Sequence, residues 1–150
     1  MFKKLAALAI LLLFSGACAT TSPNVPMSPL ASATYWNDIL ANSNNSLATT
    51  IISLNTNRFI SVASAGAILR INYNIAEDQG VITNILQNTT QLTSTDVAQI
   101  TTYLTNLKAQ CDTLIADGSA GISDPKSKTK FLVVVNVVIS VAQSFLNSLS

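Results

Sequence analysis

Two stretches in the C-terminal half space their apolar residues in a way that leaves little freedom of fold. Val97, Ile100, Leu104, Leu107, Cys111 and Leu114 fall 3, 4, 3, 4 and 3 positions apart. Leu132, Val135, Ile139, Ala142, Leu146 and Leu149 repeat the same spacing. Alternating steps of three and four place every member on one face of an α-helix and make that face a seam for another helix. Asp117-Gly118 ends the first pattern with glycine in the favoured post-helix position. Asp124-Pro125 opens the second with a capping side chain followed by proline at the first helical position. Ser119 to Lys130 connects them, and two seams joined this closely predict an antiparallel helical hairpin.

The preceding residues supply the cover. Trp36, Leu40, Leu47, Ile51 and Leu54 share a helical face from Leu30 onward, with Ser28 as cap and Pro29 at the first position. Asn42–Ser46 (NSNNS) is a weak point in this helix, and Asn55-Thr56-Asn57 reads as its end. A second helix is predicted from about Arg58 to Asn88. Ile68, Ile75, Ile82 and Leu86 lie on its face, Ile71 and Ile85 flank it, and Ala63, Ala65, Gly66 and Ala67 suit a close crossing. Gly80 costs about 1 kcal/mol against alanine there. The Thr- and Ile-rich stretch 47–62 also admits a strand reading, but its period-two alternation is poor. Thr89–Ser94 is a polar linker, and Thr93-Ser94-Thr95-Asp96 offers the next helix start. The expected fold is therefore all-α: a small antiparallel bundle of three or four helices over residues 30–150.

Composition narrows the chemistry. Charged residues make up only 10% of the 150, and there is no histidine. That removes Ser-His-Asp and Cys-His catalysis and histidine metal sites. The five glycines are scattered, so no phosphate-cradling loop is expected. Without Lys3 and Lys4, six basic residues face seven acidic ones, too few to hold nucleic acid. No cofactor or metal is expected, and 49% hydrophobic residues argue for a folded body.

The N-terminus has its own logic. Lys3 and Lys4 precede an unbroken apolar run, Leu5 to Phe14, which is too short for the ~20 residues of a permanent span but suits the core of an export signal. Phe14-Ser15-Gly16-Ala17-Cys18 resembles the lipobox of bacterial lipoproteins. The resemblance implies cleavage before Cys18, diacylglycerol on its sulfur and acylation of the new N-terminus. Residues 1–17 would be the signal peptide and 18–29 a lipid-attached tether, with Pro23, Pro26 and Pro29 favouring extended backbone. Ala17-Cys18-Ala19 is also an A-x-A secretion site, whose use would discard Cys18. In layout the body is also similar to small helical envelope or phage-encoded lipoproteins, a resemblance that carries over no residues.

Four further features invite a functional reading. Glu77-Asp78 is the one adjacent carboxylate pair, yet neighbours on a helix point about 100° apart, which fits a solvated face better than an acid–base dyad. Cys111 is either a reactive thiol or a small apolar core residue, and its seam position favours core. Lys126, Lys128 and Lys130 precede an apolar run. Cations there oppose a helix dipole, so either the helix starts later or the lysines meet something anionic such as lipid headgroups; a plain solvated loop is the alternative. Phe131–Leu146, with 16 residues interrupted by Asn136, Ser140 and Gln143, is short for a membrane span and is explained as core. Tyr35-Trp36 suits either a membrane interface or a buried anchor.

The expectation is a non-enzymatic protein, exported and lipid-anchored through Cys18 in a bacterial envelope, facing the periplasm. It would act as a structural or interaction module, by binding a protein partner or another copy. The alternatives are a periplasmic carrier of an apolar ligand, in a cavity lined by Ile68, Ile75, Leu104 or Val135, and a secreted or phage-encoded accessory protein.

Overall fold

The structure is a computed structural model, and it describes residues 27–150. Four long helices account for most of them: α1 Pro29–Thr56, α2 Val62–Gln87, α3 Ser94–Thr113 and α4 Pro125–Ser148. α1 packs on α2 and α4, and α3 packs on the same two, so the helices form a cyclic four-helix bundle. The all-α antiparallel bundle expected from the seams is what forms, with four helices.

Each helix starts at a side-chain cap. Ser28 Oγ accepts from Ala31 N at 3.2 Å, with Pro29 in the first turn. Ser61 Oγ accepts from Ser64 N at 3.1 Å. Thr93 and Asp96 form a reciprocal capping box: Asp96 N donates to Thr93 Oγ1 at 3.2 Å and Thr93 N to Asp96 Oδ2 at 2.9 Å. Asp124 Oδ2 accepts from Ser127 N at 2.8 Å ahead of Pro125. α2 therefore begins at Val62 rather than near Arg58, because residues 57–61 turn the chain. Arg58 takes φ 59° there, and the Arg58 and Phe59 amides donate to the Asn55 and Leu54 carbonyls at 3.0 and 2.9 Å. This is the Schellman ending that glycine usually supplies.

The seams are heptads in all four helices. On α1 the buried positions are Ala33, Asn37, Leu40, Asn44, Leu47, Ile51 and Leu54, with Thr50 beside them, and Asn42–Ser46 does not interrupt the helix. Trp36 sits half-buried beside this seam. On α2 they are Ala65, Ile68, Asn72, Ile75, Ile82 and Leu86, and on α3 Ile100, Leu104, Leu107 and Cys111, continued by Leu114. Val97, expected to open the α3 seam, is only half-buried.

The α4 seam differs from the expected one. Phe131, Val135, Val138, Ala142 and Phe145 face the core, while Leu132, Ile139, Leu146 and Leu149 flank it. Both sets contain Val135 and Ala142. Nearly every position from 131 to 142 is apolar, so periodicity alone could not decide between them, and the two phenylalanines, with most area to bury, win.

The α3–α4 connection closes one end of the bundle. α3 runs into a π-helical turn, Leu114–Gly118, then a 3₁₀ turn, Ser119–Gly121. Ile60 and Ile122 form an isolated antiparallel bridge, and Ser123 N donates to Phe59 O at 2.9 Å. The α1–α2 and α3–α4 connections are thus stitched together. Gly118 is right-handed (φ −67°), not the left-handed post-helix residue expected. Its role is steric: a Cβ would stand 3.2 Å from Ile68 Cγ1 and 3.5 Å from Phe131 Cζ. Gly66 and Gly80 are exposed and a Cβ on either meets nothing within 4 Å, so in the stretch 63–67 it is Ala65, buried, and not Gly66 that faces the bundle.

The glycines give a paired stability test. Gly80→Ala should raise unfolding free energy by about 1 kcal/mol, since it removes helix-interior backbone entropy at no steric cost. Gly118→Ala should lower it by about 1–3 kcal/mol through crowding against Ile68 and Phe131. Urea denaturation of both variants checks this; equal effects would show that Gly118 is not packed as described.

Candidate functional site

Cys18 and the signal-like segment lie outside the described residues. The other candidates are the Cys111 thiol, the Glu77-Asp78 pair, the Tyr35-Trp36 pair and one outward-facing helix.

Cys111 is fully buried in the α3 seam. Burial pushes its thiol up to about 12, with the Asp112 charge adding to the effect. A thiol held neutral in an apolar core is neither a nucleophile nor an accessible disulfide partner. Native protein at pH 8 should therefore leave Cys111 unreacted with a chromogenic disulfide reagent and react fully in denaturant; rapid native labelling would contradict the burial.

Glu77 and Asp78 do not act on a common point. Asp78, on the α2 side facing α3, accepts from Gln110 Nε2 at 2.7 Å. Its carboxyl is raised above the usual range, first by burial, against the Gln110 hydrogen bond, with the Glu77 charge adding to the rise. Glu77 is exposed and engages Tyr73, whose hydroxyl is raised by hydrogen bonding to that carboxylate and then by its charge. No group of three or more metal-ligating side chains occurs among the described residues.

The polar groups that sequence reasoning missed lie between α1 and α2. Asn37, only 4% exposed, donates through Nδ2 to Thr83 Oγ1 at 2.9 Å, and Gln79 Nε2 reaches Thr83 Oγ1 at 2.9 Å and Asn37 Oδ1 at 3.5 Å. Both seams advance seven residues per two turns in opposite directions, so with Asn37 against Gln79, Asn44 comes level with Asn72. Both are buried, and the Oδ1 of each has no hydrogen-bond partner. The signal was present in the spacing: Asn37 and Asn44 alternate with Leu40 and Leu47, and Asn72 lies between Ile68 and Ile75.

α4 is the electrostatically distinct element. It carries Lys126, Lys128 and Lys130 and no carboxylate, while α1, α2 and α3 each hold one more acidic than basic residue. Lys108 on α3 donates to Gln143 Oε1 and adds a further cation on this side. The helix does not start after the lysines; they lie in its first two turns, at the end closed by the Ile60–Ile122 bridge. Ser28 is at the opposite end, about 40 Å away at 1.5 Å rise per residue of α1. Lys126 and Lys130 are exposed on the outermost line of α4 with Val133, Val137, Ser140 and Ser144, whereas Lys128 lies 200° around the helix from Lys126. Val133 and Val137 are 57% and 43% exposed. Between the i, i+4 rows Val133-Val137-Val141 and Asn136-Ser140-Ser144 runs a shallow groove of ≈ 400 Å³. By length and composition α4 is apolar enough to cross a membrane, with mean hydropathy 1.8, but its Phe131–Phe145 face packs in the bundle. Tyr35 and Trp36 stack edge-to-face at 5.5 Å between centroids, Trp36 half-buried and Tyr35 exposed.

Comparison of the chain with protein-family models, curated proteins and solved structures gives no match.

The caps set an acid response. Hydrogen bonds from Thr93, first its backbone amide and then its side chain, hold Asp96 below the usual carboxylate range; those from Ser127, side chain then backbone, do the same for Asp124. A folded-state value below the unfolded one stabilises above about pH 4 and is lost as pH falls through the folded value. Asp78, shifted the other way, gains on acidification. Asp124→Asn keeps the cap but not the charge, so it should unfold somewhat below the wild-type midpoint at pH 7, lose less than wild type between pH 5 and pH 2, and converge with it at the acid end. Thermal melts across that range check the sign.

Proposed function

We propose that this chain is a non-enzymatic lipoprotein of the bacterial envelope: Cys18 anchors it to a membrane and the four-helix bundle serves as a structural or interaction module. The observation that carries the reading is the sequence Leu5–Cys18, an apolar run after two lysines that ends in Ser-Gly-Ala-Cys. The rest of the chain supports it by what its candidate groups do. Cys111 fills a core seam and Asp78 bonds Gln110, so these two candidates have structural roles. The proposed mechanism is positional: lipid at one end fixes where the bundle's largely uncharged helix faces meet their partner.

A carrier role has less support. Ile68, Ile75, Leu104 and Val135 are 0–2% exposed within the packed core, and the groove on α4 lies on the outer surface. A ligand between the helices would have to displace core side chains.

Mass spectrometry of the mature N-terminus tests the proposal. Diacylated or triacylated Cys18 is expected, and Cys18→Ala should abolish the lipid and the salt-resistant membrane retention it gives. An unmodified N-terminus at Thr20 would replace the anchor with plain secretion.

A further inference from the structure

We propose that the outer line of α4 docks on an anionic lipid surface, so that the bundle lies along the membrane instead of standing on its tether. This rests on the membrane anchor at Cys18 proposed above and adds the face that meets the lipid.

Three observations carry it. The first is charge: α4 alone among the four described helices is cationic, α1, α2 and α3 each carry one more acidic than basic residue, and the carboxylates nearest the lysines in sequence are Asp124, which caps α4, and Asp117 in the connection before it. Asp124 is turned into its cap hydrogen bond with Ser127, and three lysines outnumber the two carboxylates at this end, which leaves a net basic side that orients the bundle toward a negative surface. The second is alignment. Lys126 and Lys130 continue, at spacings of 4, 3 and 4, into Val133 and Val137, both substantially exposed, and then into small polar residues. The lysines can meet headgroup phosphates while the valines reach the acyl boundary, the arrangement of a helix lying in the interface plane. The exposed apolar residues of α2, among them Leu69 and Tyr73, share their surface with Glu77 and lack this complementarity. The third is reach. The residues from Cys18 to Ser28 span at most about 35 Å fully extended, and α1 carries the chain about 40 Å from Ser28 to the lysine end. The bundle therefore cannot stand on its lysine end while anchored at Cys18. Lying flat satisfies both contacts.

The test uses mature lipidated protein reconstituted in vesicles, with an environment-sensitive fluorophore on Val137→Cys or, as control, Tyr73→Cys; Cys111 is buried and Cys18 carries the lipid. In phosphatidylethanolamine vesicles containing phosphatidylglycerol, the Val137→Cys label should shift to the blue and the Tyr73→Cys label should not. Neither should shift in pure phosphatidylcholine. Neutralising Lys126 and Lys130 to Gln should lower the docked-to-undocked ratio about fivefold per lysine. A Val137→Cys label that stays aqueous, or shifts without phosphatidylglycerol, overturns the proposal, as does a shift already present in detergent with a dimer by size, which would make a second copy the occupant. Failure of the anchor is read separately, as absence of acyl mass on Cys18. In that event the same protein should still float with phosphatidylglycerol vesicles in a Lys126- and Lys130-dependent way, and failure to do so would overturn the docking face on its own.

Discussion

The pairing of α1 with α2 through Asn37, Gln79 and Thr83 fixes what the apolar seams leave open. A seam of Leu and Ile repeating every seven residues packs nearly as well when slid by one heptad. Polar residues remove that freedom. Asn37 is held against Gln79 and Thr83 by hydrogen bonds, and the heptad advance brings buried Asn44 level with buried Asn72. A slide of seven residues would set Asn37 level with Leu86 in one direction or Asn44 level with Ala65 in the other, and either slide breaks the Asn37–Thr83 hydrogen bond, at about 1–3 kcal/mol for a stranded group. The cost of specificity is visible in the unpartnered Oδ1 atoms of Asn44 and Asn72.

The remaining helices follow from that register. α2 leads into the Thr93–Asp96 capping box, which starts α3, and α3 ends in the π and 3₁₀ turns that bring Ile122 beside Ile60. Gly118 and Gly121 allow this connection to press on α2, with Gly121 leaving no room for a Cβ beside Ser64. α4 then closes the ring against α1. Because its inner face holds Phe131 and Phe145, its outer face is left with lysines, valines and small polar residues, which separates the side that builds the fold from the side available to a surface.

Most of this architecture was legible in the residues. The caps at Ser28, Thr93–Asp96 and Asp124 announced three of the four helix starts, and the seams of α1 to α3 were largely those that spacing predicts. The errors have local physical causes. In α4 an almost continuous apolar run carries no usable period, so the choice of face fell to phenylalanine burial. At Gly118 a familiar post-helix signal concealed a steric requirement set by Ile68 and Phe131, which are distant in sequence. The Asn layers were missed because an apolar count skips polar seam positions, although their spacing was regular. Around the candidate site, the structural role expected for Cys111 agrees with its burial, and the separation of Glu77 from Asp78 follows helix geometry. Which lysines share a line with Val133 and Val137 was not legible until the rotation of α4 was known.

The α1–α2 polar contact is an energetic coupling as well as a geometric one, and a double-mutant cycle on Asn37→Ala and Thr83→Ala measures that coupling directly. The two sites lie on different helices 46 positions apart. Chemical denaturation of wild type, both single variants and the double variant should yield a favourable interaction of about 0.5–3 kcal/mol. Strict additivity of the two substitutions would contradict the claim that this contact sets the register of the bundle.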